Sequence, residues 1–271
     1  MLYRKVNIKI ISVLLISFKM SACVSLYHEE ASVETVTLDD ITSGASRVMA
    51  GDPGLTNQQY AERLYKDGWP VDSLNTAANI DFLSDVEKNI VLAHNLVRFD
   101  PGNYAELYVA EYISYYRFAS FNYPGMNAVF FTLEGINLAI DLYRELKTIN
   151  PLPLLYPSKK LSEAARNHAR YQMKTGQIGH GGRGGTIARV ESMGIWDRVV
   201  VENISYGNWS GHDAVLALLI DDGVPDRGHR KNILLEDIKA IGVGQSVHPM
   251  FRGGVYVMKY TGGFEDVRLE Y

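Results

Sequence analysis

The sequence predicts an α+β layered domain, a small and mainly antiparallel sheet with helices on its faces, from three observations. Apolar residues recur at three- and four-residue spacing in two segments, Ser84 to Arg98 and Leu161 to Thr175, which reads as two amphipathic helices. Runs rich in β-branched and aromatic residues at Val199 to Tyr206 and Gly254 to Tyr260 read as strands. Ile241-Gly-Val-Gly244 reads as a further strand whose glycines let a neighbouring backbone approach closely.

The chain has 271 residues, 46% of them hydrophobic, enough for a sizeable core in one or two domains. Met1 to Lys9 carries Arg4, Lys5 and Lys9, and the apolar run Ile10 to Phe18 follows, too short for a membrane-spanning helix of about 20 residues. This is the pattern of a signal peptide, 1–22. Met20-Ser21-Ala22-Cys23 then resembles a bacterial lipobox, with Cys23, the sole cysteine, as the lipidated residue. The alternative is ordinary signal cleavage, with Cys23 lost or left as an unpaired thiol. An exported, membrane-anchored lipoprotein of the cell envelope, at the surface or in the periplasm, is therefore expected.

Charge narrows the partners. There are 27 basic and 31 acidic residues, and removing the four basic residues of the first twenty-two leaves 23 against 31. A balance that negative gives phosphate backbones nothing to bind, and no nucleic-acid partner is expected.

Residues 23–80 are expected as a tether plus a short N-terminal segment, and 81–271 as the main domain. Val24 to about Gly54 is rich in Ser, Thr, Asp and Glu without a period, and is expected to lack fixed structure. Gln58 to Lys66 can form a short helix before Gly68-Trp-Pro70, whose Trp69 reads as packing. Ser84-Asp-Val-Glu87 is a capping box, and Asp100-Pro101-Gly102 stops the helix that it opens. A tyrosine-heavy stretch, Asn103 to Asn150, ends in a helix near Leu133 to Lys147; its aromatics read as packing. His180 sits in a glycine-rich loop, Glu202 and Asn203 lie inside a strand, and Ser210 caps a helix through Ala214 to Ile220 that ends at Asp221-Asp222-Gly223. A loop then leads to Gly228-His229-Arg230-Lys231-Asn232-Ile233-Leu234.

Taken in order, Asn95-Leu-Val-Arg98, Leu161 with Ala165 and Ala169, His180, Glu202-Asn203-Ile204 with Gly207, Gly228 to Leu234, and Ile241 to Gly244 resemble the bacterial branch of the CAP superfamily. That superfamily comprises cysteine-rich secretory proteins, antigen 5 and pathogenesis-related proteins, and its domain is also called the SCP domain. The resemblance covers Leu161 to Gly262 well and Asp81 to Arg98 more loosely; about 103–150 has no counterpart and looks like an insertion. It implies an α-β-α sandwich, in agreement with the layers read from the periodicities.

The resemblance also implies a cleft of two histidines and two acidic residues. By motif position these are His180, Glu202 and His229, with the fourth role assigned to Asp222 at the helix end that also carries Asp221. Other relatives place a glutamate where this chain has Ala240. Imidazole and carboxylate are zinc ligands, so His180 and His229 are candidate ligands for a divalent metal such as zinc, with Glu202 as a general base. Without metal the same groups orient a polar ligand or exchange protons. No Gly-x-Ser-x-Gly elbow or His-Glu-x-x-His helix is present. Three readings follow: a tethered module binding a lipid, glycan, wall polymer or host molecule; a metal-dependent hydrolase; and a structural domain with an inactive cleft. His168 reads as a packed, hydrogen-bonded histidine, and Arg230 with Asn232 as fixing the turn after His229.

Overall fold

The computed structural model describes residues 37–43, 54–117, 120–121, 130–182, 184–207 and 210–266. The signal segment, Cys23 and most of the expected tether lie outside them. The helices, in chain order, are α1 (Leu38–Ser43), α2 (Asn57–Lys66), α3 (Val71–Leu74), α4 (Asp85–Phe99), α5 (Pro101–Tyr104) and α6 (Ala110–Ser114), with a π-helical turn, Ala105–Val109, joining the last two. They continue with α7 (Asn137–Leu146), α8 (Lys159–Thr175), α9 (Gly185–Glu191), α10 (Gly211–Ile220) and α11 (Gly228–Ile233). The short strands β1 (Tyr116–Arg117), β2 (Ser120–Phe121) and β3 (Phe130–Phe131) form one antiparallel sheet within the insertion. The main strands are β4 (Tyr156–Pro157), β5 (Trp196–Tyr206), β6 (Ala240–Ser246) and β7 (Val255–Phe264).

The main sheet has the order β4-β6-β7-β5, with β4 parallel to β6 and the other pairs antiparallel. Register assigns its faces. Gly244, Val257 and Ile204 are cross-strand partners, as are Gly242, Lys259 and Glu202, and both rows lie under α8. A Cβ on Gly242 would stand 2.2 Å from the carbonyl carbon of Leu161, and one on Gly244 2.2 Å from the amide nitrogen of Arg166. These glycines let α8 settle on the sheet, as the sequence suggested. The alternate residues Ile241, Val243, Met258 and Tyr260 face the other way, into the main core with Ile90, Ala93 and Val97 of α4 and Val215 and Leu219 of α10. Helices cover both faces, which is the predicted α-β-α sandwich.

Polar side chains tie the layers together. Glu87 accepts the Ser84 backbone N–H at 2.9 Å, closing the expected capping box, and also pairs with Arg166 of α8 at 2.8 Å. Asn95 donates to the Leu74 and Leu155 carbonyls and accepts the Leu155 N–H. The buried Arg98 guanidinium donates to the carbonyls of Pro153, Ile233, Leu235 and Ile238. A guanidinium removed from water is tolerated because these carbonyls replace its hydration shell.

Three expectations change. Leu38–Ser43, inside the segment expected to lack structure, is helical, and its Ile41 is buried in the main core. The main core also extends N-terminal of Asp81, because Tyr60, Leu64, Trp69 and Leu74 are all core residues. Trp69 is more than local packing: its indole N–H donates to the Tyr108 hydroxyl of the insertion at 2.8 Å. Gly228–Ile233, for which the sequence suggested no element, is a short helix, and α9 had no periodic signal in so few residues.

Candidate functional site

The site lies along β5, the edge strand of the main sheet, and draws one histidine from each helical layer. His180 comes from the loop after α8. That loop is held by Gly179: its carbonyl accepts from the His168 Nε2 side and from the Gln172 side-chain amide, and its N–H donates to the Tyr206 hydroxyl at 2.7 Å. Tyr206 in turn donates to Gln172. His168 is therefore a buried, hydrogen-bonded histidine, as expected, and burial lowers it to about 4.

The His180 Nδ1–H donates to Glu202 Oε1 at 2.9 Å; an ionised carboxylate only accepts, which places a proton on Nδ1 and, in the neutral ring, leaves Nε2 as an acceptor. Glu202 also accepts from Thr186 at 2.8 Å, from Arg189 at 2.9 and 3.2 Å, and from Lys259. Burial alone would raise the Glu202 carboxyl, but the His180 hydrogen bond and the charges of Lys259 and Arg189 outweigh it and hold it well below the usual carboxylate range. Burial brings Lys259 down to about 8 against the opposing pull of Glu202. Arg189 further donates to the carbonyls of His180 and Gly182, so one guanidinium fixes both the loop and the carboxylate.

The second half mirrors the first. The His229 Nδ1–H donates to Asp221 Oδ1 at 2.6 Å, and the backbone N–H groups of His229 and Arg230 donate to Asp221 Oδ2 at 2.9 and 3.2 Å. Asp221 caps α10 in the left-handed conformation, φ 61°, which turns its carboxylate toward the start of α11. Asn203 donates to the His229 carbonyl at 3.0 Å and accepts from Asn232 at 2.8 Å. Arg230 donates to the Leu219 and Ile220 carbonyls. Arg230 and Asn232 thus fix the turn, as read from the sequence.

The two imidazole rings stand 6.5 Å apart, centroid to centroid, at an interplanar angle of 33°. The His180 and His229 side chains are 51% and 23% exposed, whereas Glu202 and Asp221 are each 1% exposed. A ligand entering here meets imidazoles, not carboxylates.

This geometry corrects the fourth position. Asp222 does not join the cleft histidines: its carboxylate accepts the backbone N–H groups of Leu133 and Glu134 in the insertion, at 2.8 and 2.9 Å. Asp221 occupies the role, because the left-handed turn at the helix end sends consecutive side chains in different directions. Ala240 is buried with Leu161, Val190 and Phe264 beneath α8. Glu202, the expected general base, is a shielded carboxylate held by four donors, which weakens it as a base. Arg189, Lys259 and Thr186 were missed, since nothing in their spacing relates them to Glu202.

For a metal, each Nδ1 bound to a carboxylate leaves an Nε2 lone pair of the kind that metal-binding histidines present. The carboxylates, however, lie on the far side of the rings. Among the described residues no group of three His, Cys, Asp or Glu side chains is placed to hold an ion, and a catalytic zinc site takes three protein ligands. His180 and His229 offer two.

The model of the cysteine-rich secretory protein family, CAP, matches residues 94–260, more than half of the chain. The chain belongs to the CAP family. Two solved structures align with parts of this CAP protein. One is an extracellular protein containing a SCP domain from Bacillus anthracis str. Ames, 22% identical, with a TM-score of 0.34, over 46% of this chain and 37% of that one. The other is an outer surface protein from Borrelia burgdorferi, 18% identical, with a TM-score of 0.35, over 41% of this chain and 78% of that one. The aligned part is thus well under half the length of the Bacillus protein. No curated protein matches the chain. No helix among the described residues of this CAP protein is long and apolar enough to cross a membrane.

Proposed function

We propose that this CAP protein is an exported, lipid-anchored module that presents the His180–His229 cleft at the cell envelope to a polar group of a lipid, glycan, wall polymer or host molecule. One observation carries the reading: two partly exposed imidazoles, 6.5 Å apart, are each held through Nδ1 on a buried carboxylate, which leaves the Nε2 of each neutral ring as an acceptor. Such a pair is pre-organised, so a ligand hydroxyl or ammonium donor binds without first ordering the side chains. The N-terminal basic and apolar segments before Cys23 support export and anchoring, and tethering raises the local concentration of the cleft at a surface.

The test is binding of the purified protein to lipid and glycan arrays, beside the His180→Ala/His229→Ala double variant. Binding by the native protein that is lost in the double variant supports the reading. Equal binding by both, or none by either, refutes it. Anchoring is tested separately by metabolic labelling with a fatty acid: label on the native chain and none on Cys23→Ser is the expected result.

A metal-dependent hydrolase is the second reading, favoured by the carboxylate-backed histidines alone. With only two ligands in place and Glu202 shielded, no hydrolytic step is derived from this arrangement. Stoichiometric zinc in the purified protein, lost in the double histidine variant, would restore this reading.

A further inference from the structure

The loop between α10 and α11 carries His229 on its far side, and it is held in an unfavourable backbone conformation. Asp221 and Arg227, neither of them glycine, both adopt left-handed φ values, 61° and 53°. A conformation of this kind persists only where the surroundings over-determine it. Those surroundings are supplied by the insertion. Asp222 receives the N–H groups of Leu133 and Glu134, and Glu134 returns the contact by accepting the Gly223 N–H at 3.0 Å. The Arg227 guanidinium grips the Glu134 carboxylate with both Nη1, at 2.9 Å, and Nη2, at 2.5 Å, while Nη1 also donates to the Val224 carbonyl at 2.6 Å. A second strut comes from α7, where Glu145 pairs with Arg230 at 2.8 Å, next to His229. The His180 half has no hydrogen bond of this kind to the insertion among the described residues, its supports being Gly179, Arg189 and Glu202.

We propose that Glu134, Asp222 and Arg227 form a clamp through which the insertion positions the Asp221–His229 pair. None of the three touches the cleft opening; they are positioning residues acting through the loop. The inference rests on the binding reading above and extends it to how one half of the cleft is kept in register with the other. It also accounts for the insertion, without which the strained loop loses the partners that hold its two left-handed residues.

The experiment uses the full chain with labelled histidine and follows the Nδ1–H proton resonances of His229 and His180, each held by a carboxylate. Glu134→Gln breaks the bidentate ion pair, and Asp222→Asn, a second and independent variant, weakens the backbone contacts. The expected result is loss or a large shift of the His229 Nδ1–H resonance in both variants, with the His180 resonance and the amide spectrum of the sheet unchanged. An unaltered His229 resonance in both variants overturns the proposal, as does equal loss of the two histidine resonances, which reports general loosening. The binding reading fails by a different result, absence of ligand binding by the native protein, which leaves these spectra as they are.

Discussion

Glu202 and Asn203, adjacent on the edge strand β5, hold the two cleft histidines from opposite faces of the sheet: the Glu202 carboxylate takes the His180 Nδ1–H, and the Asn203 amide takes the His229 carbonyl. Successive strand residues point to opposite faces, so a Glu-Asn pair can reach into both helical layers at once. This accounts for a two-residue motif at this place. Each side chain fixes one histidine, and the strand fixes the distance between them.

Glu202 is the residue whose loss exposes this arrangement most severely. In Glu202→Gln, Lys259 and Arg189 remain buried beside a neutral amide, and breaking a buried ion pair from one side costs about 3–5 kcal/mol. The urea midpoint is expected to fall accordingly. A change within about 0.5 kcal/mol, the size of an ordinary surface substitution, would show that the cluster is not held as described.

Asp221 combines a side-chain role with a backbone one. Asp221→Asn keeps an oxygen acceptor and tolerates the left-handed conformation, and is expected to cost about 1 kcal/mol. Asp221→Ala removes the acceptor for three hydrogen bonds and strains the turn, and is expected to cost about 3 kcal/mol or more. Denaturation curves for the pair check the ordering. Equal costs would contradict it.

Gly244→Ala places a methyl group 2.2 Å from the Arg166 amide nitrogen, against the backbone of α8 instead of a movable side chain. Separation of helix from sheet is the only relief, at a cost of about 3 kcal/mol or more. Thermal melting should show a large fall in Tm, and a variant as stable as the parent would refute the close approach.

Stability should fall as pH drops below neutral. Burial lowers His94 to about 4 and His212 to about 3, below the unfolded value of about 6.5. Between those limits the unfolded chain binds protons that the folded one refuses. The contribution is fully present above about pH 6.5 and is lost as pH falls, at up to about 1.4 kcal/mol per pH unit for each histidine. The depressed Glu202 carboxyl acts in the same direction, but only below its unfolded value of about 4.3. Buried His168, also lowered to about 4, adds to this loss, while the Glu111 carboxyl, raised by burial to about 7, opposes it, so three histidines outweigh one carboxyl between about pH 7 and about pH 5. Urea midpoints across that range should fall with acid, and a flat or rising series would mean that these histidines are not buried neutral.

Much of the sandwich was legible because its signals are local. The Ser84–Glu87 box opens α4, helical period marks α8, and paired glycines mark where β6 receives it. His180, Glu202 and His229 came from motif order, and the structure brings their side chains together. Asp221 and Asp222 could not be told apart, since both end the same helix and the φ of Asp221 decides which carboxylate faces His229. Arg189 and Lys259 carry no local signal: they meet Glu202 only through the folding of α9 and the pairing of β7 with β5. The insertion read as packing, and its aromatics do pack, with Tyr104 and Tyr108 against His212. Its hold on the His229 loop depends on contacts between residues about 90 positions apart, for which a single sequence has no pattern.

His180 and His229, each held through Nδ1 on a buried carboxylate, form a pair of Nε2 acceptors when neutral, and the tautomers of the two rings test this most directly. Long-range proton–nitrogen correlation spectra of the histidine-labelled protein, at a pH where both rings are neutral, should show the proton on Nδ1 and a bare Nε2 in both. A proton on Nε2 of either ring would mean that its Nδ1 does not donate to Glu202 or Asp221, and the cleft would not be the paired acceptor described.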